Sequence, residues 1–253
     1  MGRIIAKDIN VYYPLIGASV APSSDAEHEP KTTSGWGEIV LGKRPQIAAL
    51  RNLSLEVKPG SRLGIMGRNG SGKTTLLRTL GGIITPDSGS LEIEGEASGI
   101  FNLRQGLKME SSGRRNIMLR GLAIGKTPDQ IREKFAAIEE FCGLEEYLDF
   151  PVHTYSSGMV MRLSFAVVMA FEPDIMLLDE WIGTADIGFR DRAMARLRSM
   201  AENNRVFVLA SHSAKLLKDT CDEAIIMDRG EIIDRGPVAS VQKAFAKLVK
   251  EKG

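Results

Sequence analysis

The chain has 253 residues, with 33 Lys+Arg against 32 Asp+Glu, and 43% of it is hydrophobic. The near-neutral balance excludes nucleic-acid binding through bulk charge, and the apolar share excludes a disordered chain. Two cysteines, Cys142 and Cys221, are too few and too far apart for a disulfide framework or a zinc site, and with no secretion signal beside them they fit a reducing cytoplasm. The longest apolar run, 163–171, falls well short of the about 20 residues that a membrane-spanning helix needs.

Residues 3–13 alternate loosely between apolar and polar and end in Tyr12-Tyr13, which predicts a strand stopped by Pro14. Residues 14–47, rich in Pro, Ser, Gly and charge, read as a long loop or insertion. A second strand places Leu53, Leu55 and Val57 on one face, and Pro59-Gly60 turns it into a third over 62–66. A helix is expected from Lys73 to Leu80, followed by turn chemistry at Thr85-Pro86-Asp87-Ser88-Gly89. Leu91, Ile93 and Ile100 mark short strands around a turn at Gly95.

Residues 112–150 read as helical. Thr127-Pro128-Asp129-Gln130 supplies a cap, a first-turn proline and a capping-box glutamine, and Ile131, Phe135, Ile138 and Cys142 then recur at helical spacing. A further helix follows Tyr155-Ser156-Ser157-Gly158 and ends near Pro173. Ile175-Met176-Leu177-Leu178 has the length and composition of a buried parallel strand. Helix 187–203, strand Val206–Ala210, helix 213–219 and strand 224–228 follow. Strands alternating with helices predict an α/β fold around a mostly parallel sheet.

Gly67-Arg68-Asn69-Gly70-Ser71-Gly72-Lys73-Thr74 matches the phosphate-binding loop pattern, placed after an expected strand and opening an expected helix. Its glycines let backbone N–H groups turn toward phosphate oxygens, and the helix N-terminus adds positive potential. Lys73 is placed to reach the β- and γ-phosphates, and the Thr74 hydroxyl to ligate Mg²⁺. Asp179-Glu180 ends an apolar strand, where carboxylates face the cleft of an open α/β sheet. Asp179 suits a magnesium ligand and Glu180 the group that polarises the attacking water. Tyr155-Ser156-Ser157-Gly158-Met159 is first a helix cap. Its functional reading is a second phosphate-binding helix N-terminus that meets ATP from a different subunit.

The order of phosphate loop, Ser-Ser-Gly turn, strand ending in Asp-Glu and then Ser211-His212 resembles the ATP-binding cassette (ABC) ATPases over nearly the whole chain. Residues 155–159 stand where that family carries Leu-Ser-Gly-Gly-Gln. This variant resembles the ATPase subunits of bacterial exporters of O-antigen, capsule, teichoic acid or galactan. So do Gly67-Arg68-Asn69-Gly70, Gly113-Arg114-Arg115-Asn116-Ile117 and the insertion after the first strand. The resemblance implies a single ABC ATPase domain over 1–253. It would comprise a P-loop NTPase α/β core, a small antiparallel β subdomain, a helical subdomain near 107–165 and an insertion near 14–47.

It further implies that ATP and Mg²⁺ bind between two copies of the chain. One copy supplies Tyr13 to stack on adenine, with Tyr12 as the competing choice. It also supplies Gly67, Arg68, Asn69, Gly70, Ser71, Gly72, Lys73, Thr74 and Thr75, with Asp179, Glu180 and the switch histidine His212. The other copy supplies Ser156, Ser157, Gly158 and Met159. Asp186 takes the place of the residue that couples the two copies. Gln105 is the glutamine available for the magnesium-sensing loop; its spacing from Gly113 departs from the family pattern, and it reads alternatively as a surface residue.

The implied partners are a second copy of the chain, an integral-membrane permease and a lipid-linked glycan as indirect cargo, with no nucleic acid. The chain would then be peripheral, on the cytoplasmic face of the cell membrane. Some such exporters append a C-terminal glycan-binding domain; this chain stops at Gly253 and is expected to lack one. The alternatives are an ABC subunit for lipid or drug, or a soluble ABC ATPase acting on DNA or ribosomes. The latter carry a long coiled coil or two cassettes, whereas here there is one phosphate loop and no sustained heptad pattern. A scaffold role fits poorly with an intact set of Lys73, Thr74, Asp179, Glu180 and His212.

Overall fold

The computed structural model describes residues 2–15, 31–32, 38–40, 46–101, 106–179, 187–202 and 205–251. Strands β1 (Arg3–Pro14), β2 (Lys31–Thr32), β3 (Glu38–Val40), β4 (Gln46–Val57) and β6 (Ser88–Glu94) form one antiparallel sheet in the order β2-β3-β4-β1-β6. The alternation of β1 has the expected consequence, since Ile4, Ala6, Ile9 and Val11 all lie in the core.

Part of the stretch expected to be insertion loop is strand. β2 and β3 pair with each other, β3 adds to β4 with Ile39 opposite Ile47, and β4 itself begins at Gln46. The physical reason is the edge of β4. Its backbone N–H and C=O groups must pair with something, and they accept a neighbouring segment of almost any composition.

The second sheet is ordered β11-β10-β5-β9-β8-β7, from β5 (Arg62–Gly67), β7 (Ala97–Ile100), β8 (Ile175–Asp179), β9 (Val206–Ala210), β10 (Glu223–Asp228) and β11 (Glu231–Pro237). Its neighbours from β10 to β7 are parallel, and β11 joins antiparallel. The continuous apolar runs of β8 and β9 follow from burial on both faces. On β9, Val206, Val208 and Ala210 share a core with Leu76, Leu77 and Leu80 of helix α1 (Lys73–Leu80) and with Ile4 and Leu50 of the first sheet. Phe207 and Leu209 face the other way, toward Phe165 of α4 (Ser157–Ala170), Phe189 of α5 (Ile187–Glu202) and Leu217 of α6 (Ala214–Thr220). Helix α1 is thus clamped between the two sheets. The turn at Gly95 carries the chain from β6 in one sheet to β7 in the other.

Helices α2 (Gly113–Ala123), α3 (Pro128–Cys142) and α4 enclose a core of their own, including Ile117, Ile131, Ile138, Cys142 and Leu163. The expected capping box is formed. Thr127 Oγ1 accepts from the Gln130 N–H at 3.3 Å, and Gln130 Oε1 accepts from the Thr127 N–H at 2.9 Å. The 112–150 stretch is therefore two helices and a short 3₁₀ turn at Glu145–Tyr147. The last helix, α7 (Val238–Glu251), covers the second sheet through Val238 and Val241. Among the described residues, no helix is long and apolar enough to cross a membrane.

Asn116 explains one of the motifs singled out above. It is fully buried in the first turn of α2. Its Oδ1 accepts from the Lys108 N–H at 2.7 Å, and its Nδ2 donates to the carbonyls of Lys108, Ser111 and Ser112 at 2.9, 3.1 and 3.0 Å. Asn116→Ala strands those backbone groups, and the expected loss is about 2 kcal/mol of stability. A urea denaturation midpoint reads it; an unchanged midpoint would mean that the 106–112 segment is held by other contacts.

Candidate nucleotide site

Three adjacent strands of the parallel sheet end at one level. Ile65 of β5 lies opposite Ala210 at the end of β9, and Ala210 lies opposite Asp179 at the end of β8. The segments that follow therefore emerge side by side: the 67–74 loop, Asp179 itself, and Ser211-His212. The carboxyl ends of parallel strands are where open α/β sheets build their sites.

The loop folds back onto α1. Gly72 enters the helix at φ 101°, and no side chain caps it, which leaves the N-terminal turn open to an anion. A Cβ on Gly72 would come within 2.6 Å of the Ala49 carbonyl, so glycine is required there. Lys73 is 7% exposed, and its ammonium donates to the carbonyls of Gly67 at 2.9 Å and Arg68 at 3.0 Å. Thr74 Oγ1 donates to Asp179 Oδ2 at 2.6 Å, which brings two hard oxygen ligands together. His212 Nε2 lies 3.1 Å from Asn69 Oδ1 of the loop.

A cleft of about 610 Å³ opens over these groups, lined by Asn69 to Thr75 and Asp179 and also by Tyr13, Ile47, Ala49 and Phe101. The first sheet brings an aromatic wall to it: Tyr13 and Ile47 are cross-strand partners of β1 and β4, and the Tyr13 hydroxyl lies 3.5 Å from Thr75 Oγ1. Tyr12 does not line the cleft, and its backbone N–H donates to Asp87 at 2.7 Å. Ser71 Oγ is buried in the loop with no hydrogen-bond partner among the described residues. An unpaired loop hydroxyl, an uncapped helix N-terminus, an ammonium and two adjacent oxygen ligands fit a phosphate chain with its divalent cation.

Ser156, Ser157, Gly158 and Met159 stand apart from this cleft and line none of it. Ser156 caps α4 by accepting from the Met159 N–H at 3.2 Å, and Ser156 and Ser157 are exposed. Tyr155 anchors the turn. Its ring is buried, its hydroxyl donates to the Tyr147 carbonyl at 2.6 Å, and burial pushes its pKa up to about 12. Glu180, Asp186 and Gln105 lie outside the described residues. Ile47, Ala49 and Phe101 carry no motif. Ile47 falls within the expected insertion, and only its register with Tyr13 reveals it.

A phosphate loop clamped between a parallel sheet and an antiparallel one, beside a helical unit that presents its own Ser-Ser-Gly cap, is the build of an ATP-binding cassette. A family model described as "ABC transporter" matches residues 50–183. The chain belongs to the ABC transporter family and is an ATPase of that family.

It is 38% identical over 236 residues to the O-antigen export system ATP-binding protein RfbE of Yersinia enterocolitica, a match that covers 92% of this chain and 98% of RfbE. It is 36% identical to the teichoic acids export ATP-binding protein TagH of Lactococcus lactis subsp. lactis, over 80% of this chain but 43% of TagH. Among solved structures, the dimeric post-hydrolysis state of the ATP-binding cassette MJ0796 bound to ADP and Pi superposes with a TM-score of 0.72. That match covers 93% of this chain and 98% of the other, at 19% identity, and shows the shared fold.

Proposed function

We propose that this chain is the ATP-hydrolysing subunit of an exporter that carries a lipid-linked polysaccharide across the cytoplasmic membrane through a separate membrane-spanning permease. The observation that carries the reading is the likeness to RfbE along 98% of that protein at 38% identity. The likeness to TagH, named for a different polymer, supports polysaccharide as the cargo class rather than one glycan.

In this reading 1–253 is one ABC ATPase domain, with the helical subdomain near 107–165 and the insertion near 14–47. Tyr13 stacks on adenine. Gly67, Arg68, Asn69, Gly70, Ser71, Gly72, Lys73, Thr74 and Thr75 wrap the phosphates, and His212 reads the γ-phosphate. Thr74 and Asp179 would hold Mg²⁺, which when bound supplies neutralising charge to the phosphate chain. Glu180 orients and polarises the attacking water, whose oxygen displaces ADP from the γ-phosphorus. Ser156, Ser157, Gly158 and Met159 complete the cleft of a second copy, and their exposure away from their own cleft supports that assignment. Asp186 couples the copies. The homodimer sits peripherally on the cytoplasmic face, closes on ATP and opens after hydrolysis.

The test is a capture experiment. The Glu180→Gln variant is trapped with ATP in native membranes, gently solubilised, and whatever co-purifies is identified by mass spectrometry. The expected result is a polytopic membrane protein without its own ATPase, accompanied by glycosyltransferases or a polyprenyl-linked glycan. Recovery of ribosomes or DNA-repair factors, with nothing from the membrane, would overturn the transport reading.

A further inference from the structure

His212 is joined to the phosphate loop by a contact that the roles given above leave unused. Its backbone is fixed on both sides. Ser211, 7% exposed, donates its N–H to the Ile65 carbonyl of β5 at 3.3 Å, and its Oγ accepts from the Ser213 N–H at 3.0 Å. Ser213 in turn caps α6 by accepting from the Leu216 N–H at 3.2 Å. The imidazole itself is exposed, and backbone bonds do not set its side-chain torsions. The 3.1 Å contact between Nε2 and Asn69 Oδ1 does orient it. An amide oxygen accepts and cannot donate, so Nε2 carries the proton and points at the loop.

Asn69 is well placed for this. The loop around it is pinned by the Lys73 ammonium on the Gly67 and Arg68 carbonyls, and by the Ser71 N–H on the Arg68 carbonyl at 3.2 Å. A carboxamide on a pinned backbone is a fixed acceptor. Asn69 also lines the nucleotide cleft, whereas His212 does not, so Asn69 borders both the cleft and the imidazole. We propose that Asn69 is a positioning residue: its side-chain oxygen holds the His212 ring with Nε2–H aimed into the loop before ATP arrives, and the γ-phosphate then takes over as acceptor. This rests on the assignment of His212 to the γ-phosphate above. The gain is preorganisation. A donor that must be ordered at the moment of reaction slows the step by the entropy of ordering it, and one already ordered does not. The Asn69 side chain thereby acts on turnover, while the loop backbone, unchanged by substitution, keeps its hold on the phosphates.

The test is a double-mutant cycle on the full chain, read by single-turnover hydrolysis of ATP with Mg²⁺ and by equilibrium ATP binding. Asn69→Ala should slow hydrolysis about three- to tenfold, the worth of pre-ordering one side chain, with ATP affinity within about twofold of wild type. In a His212→Ala background the same substitution should change the rate by less than about twofold, because the group it positions is gone. In a His212→Gln background the cost should return, since the glutamine amide supplies a donor near the place of Nε2. A further readout needs no nucleotide. Nitrogen-15 NMR of the empty protein should show His212 with a proton on Nε2; its exchange with water should quicken in Asn69→Ala and stay slow in Asn69→Asp, which keeps the acceptor.

An Asn69→Ala protein that hydrolyses ATP at the wild-type rate, a cost that persists in full without His212, a drop in ATP affinity as large as the drop in rate, or a His212 proton that Asn69→Ala leaves untouched would each overturn the proposal. In all four cases the γ-phosphate role of His212 still stands. If the NMR contact is present but His212→Ala hydrolyses ATP at the wild-type rate, that role fails, and the positioning proposal with it.

Discussion

Lys73→Ala should lose at least about a hundredfold in ATP affinity, measured by calorimetry with Mg²⁺ present. The ammonium is nearly buried and is held over the loop by two of the loop's own carbonyls. Removing one member of a buried charged pair costs about 3–5 kcal/mol, which is two to three and a half decades of affinity. A competing effect must be separated from this. The substitution also leaves the Gly67 and Arg68 carbonyls without their donor, which alone costs about 1–3 kcal/mol of stability. A melting curve of the nucleotide-free variant isolates that term. Wild-type ATP affinity in a folded Lys73→Ala protein would remove Lys73 from the phosphate site.

Glu180→Gln should show the opposite split: ATP affinity near wild type, with turnover lower by about 10²–10⁴. Asp179 ends β8 with its carboxylate 2.6 Å from the Thr74 hydroxyl, and Glu180 is the next residue in the sequence. Glutamine keeps the shape there and loses the basic oxygen that polarises water. Single-turnover ATPase and equilibrium binding, run on one preparation, measure both halves. Hydrolysis near the wild-type rate would assign the base to another group. Together the two variants divide the site into a binding part and a chemical part, and a mere loss of folding would not reproduce that division.

Much of this architecture is written locally. The 67–74 loop is legible because its glycines, lysine and threonine act within one turn of backbone. β8 and β9 are legible because burial on both faces leaves only apolar residues. The Thr127–Gln130 box is legible because capping is a contact between residues three apart.

The rest depends on contacts distant in sequence. β2 and β3 exist because β4 offers an edge, which nothing in their own residues records. Tyr13 and Tyr12 are alike in sequence, and only the β1–β4 register puts Tyr13 opposite Ile47 at the cleft. β11 is not among the elements expected from the sequence: it alternates between half-buried and exposed positions with no fully buried one, so its pattern is faint.

The proposed export of a lipid-linked glycan can be followed in the cell itself. The most direct measurement replaces the chromosomal copy with Glu180→Gln and follows the polymer, quantifying surface polysaccharide and lipid-linked glycan on each side of the cytoplasmic membrane. Surface polymer should be lost while lipid-linked glycan accumulates on the cytoplasmic side. Normal surface polymer, with no cytoplasmic accumulation, in cells whose protein is shown to bind ATP without hydrolysing it, would rule out glycan export by this ATPase.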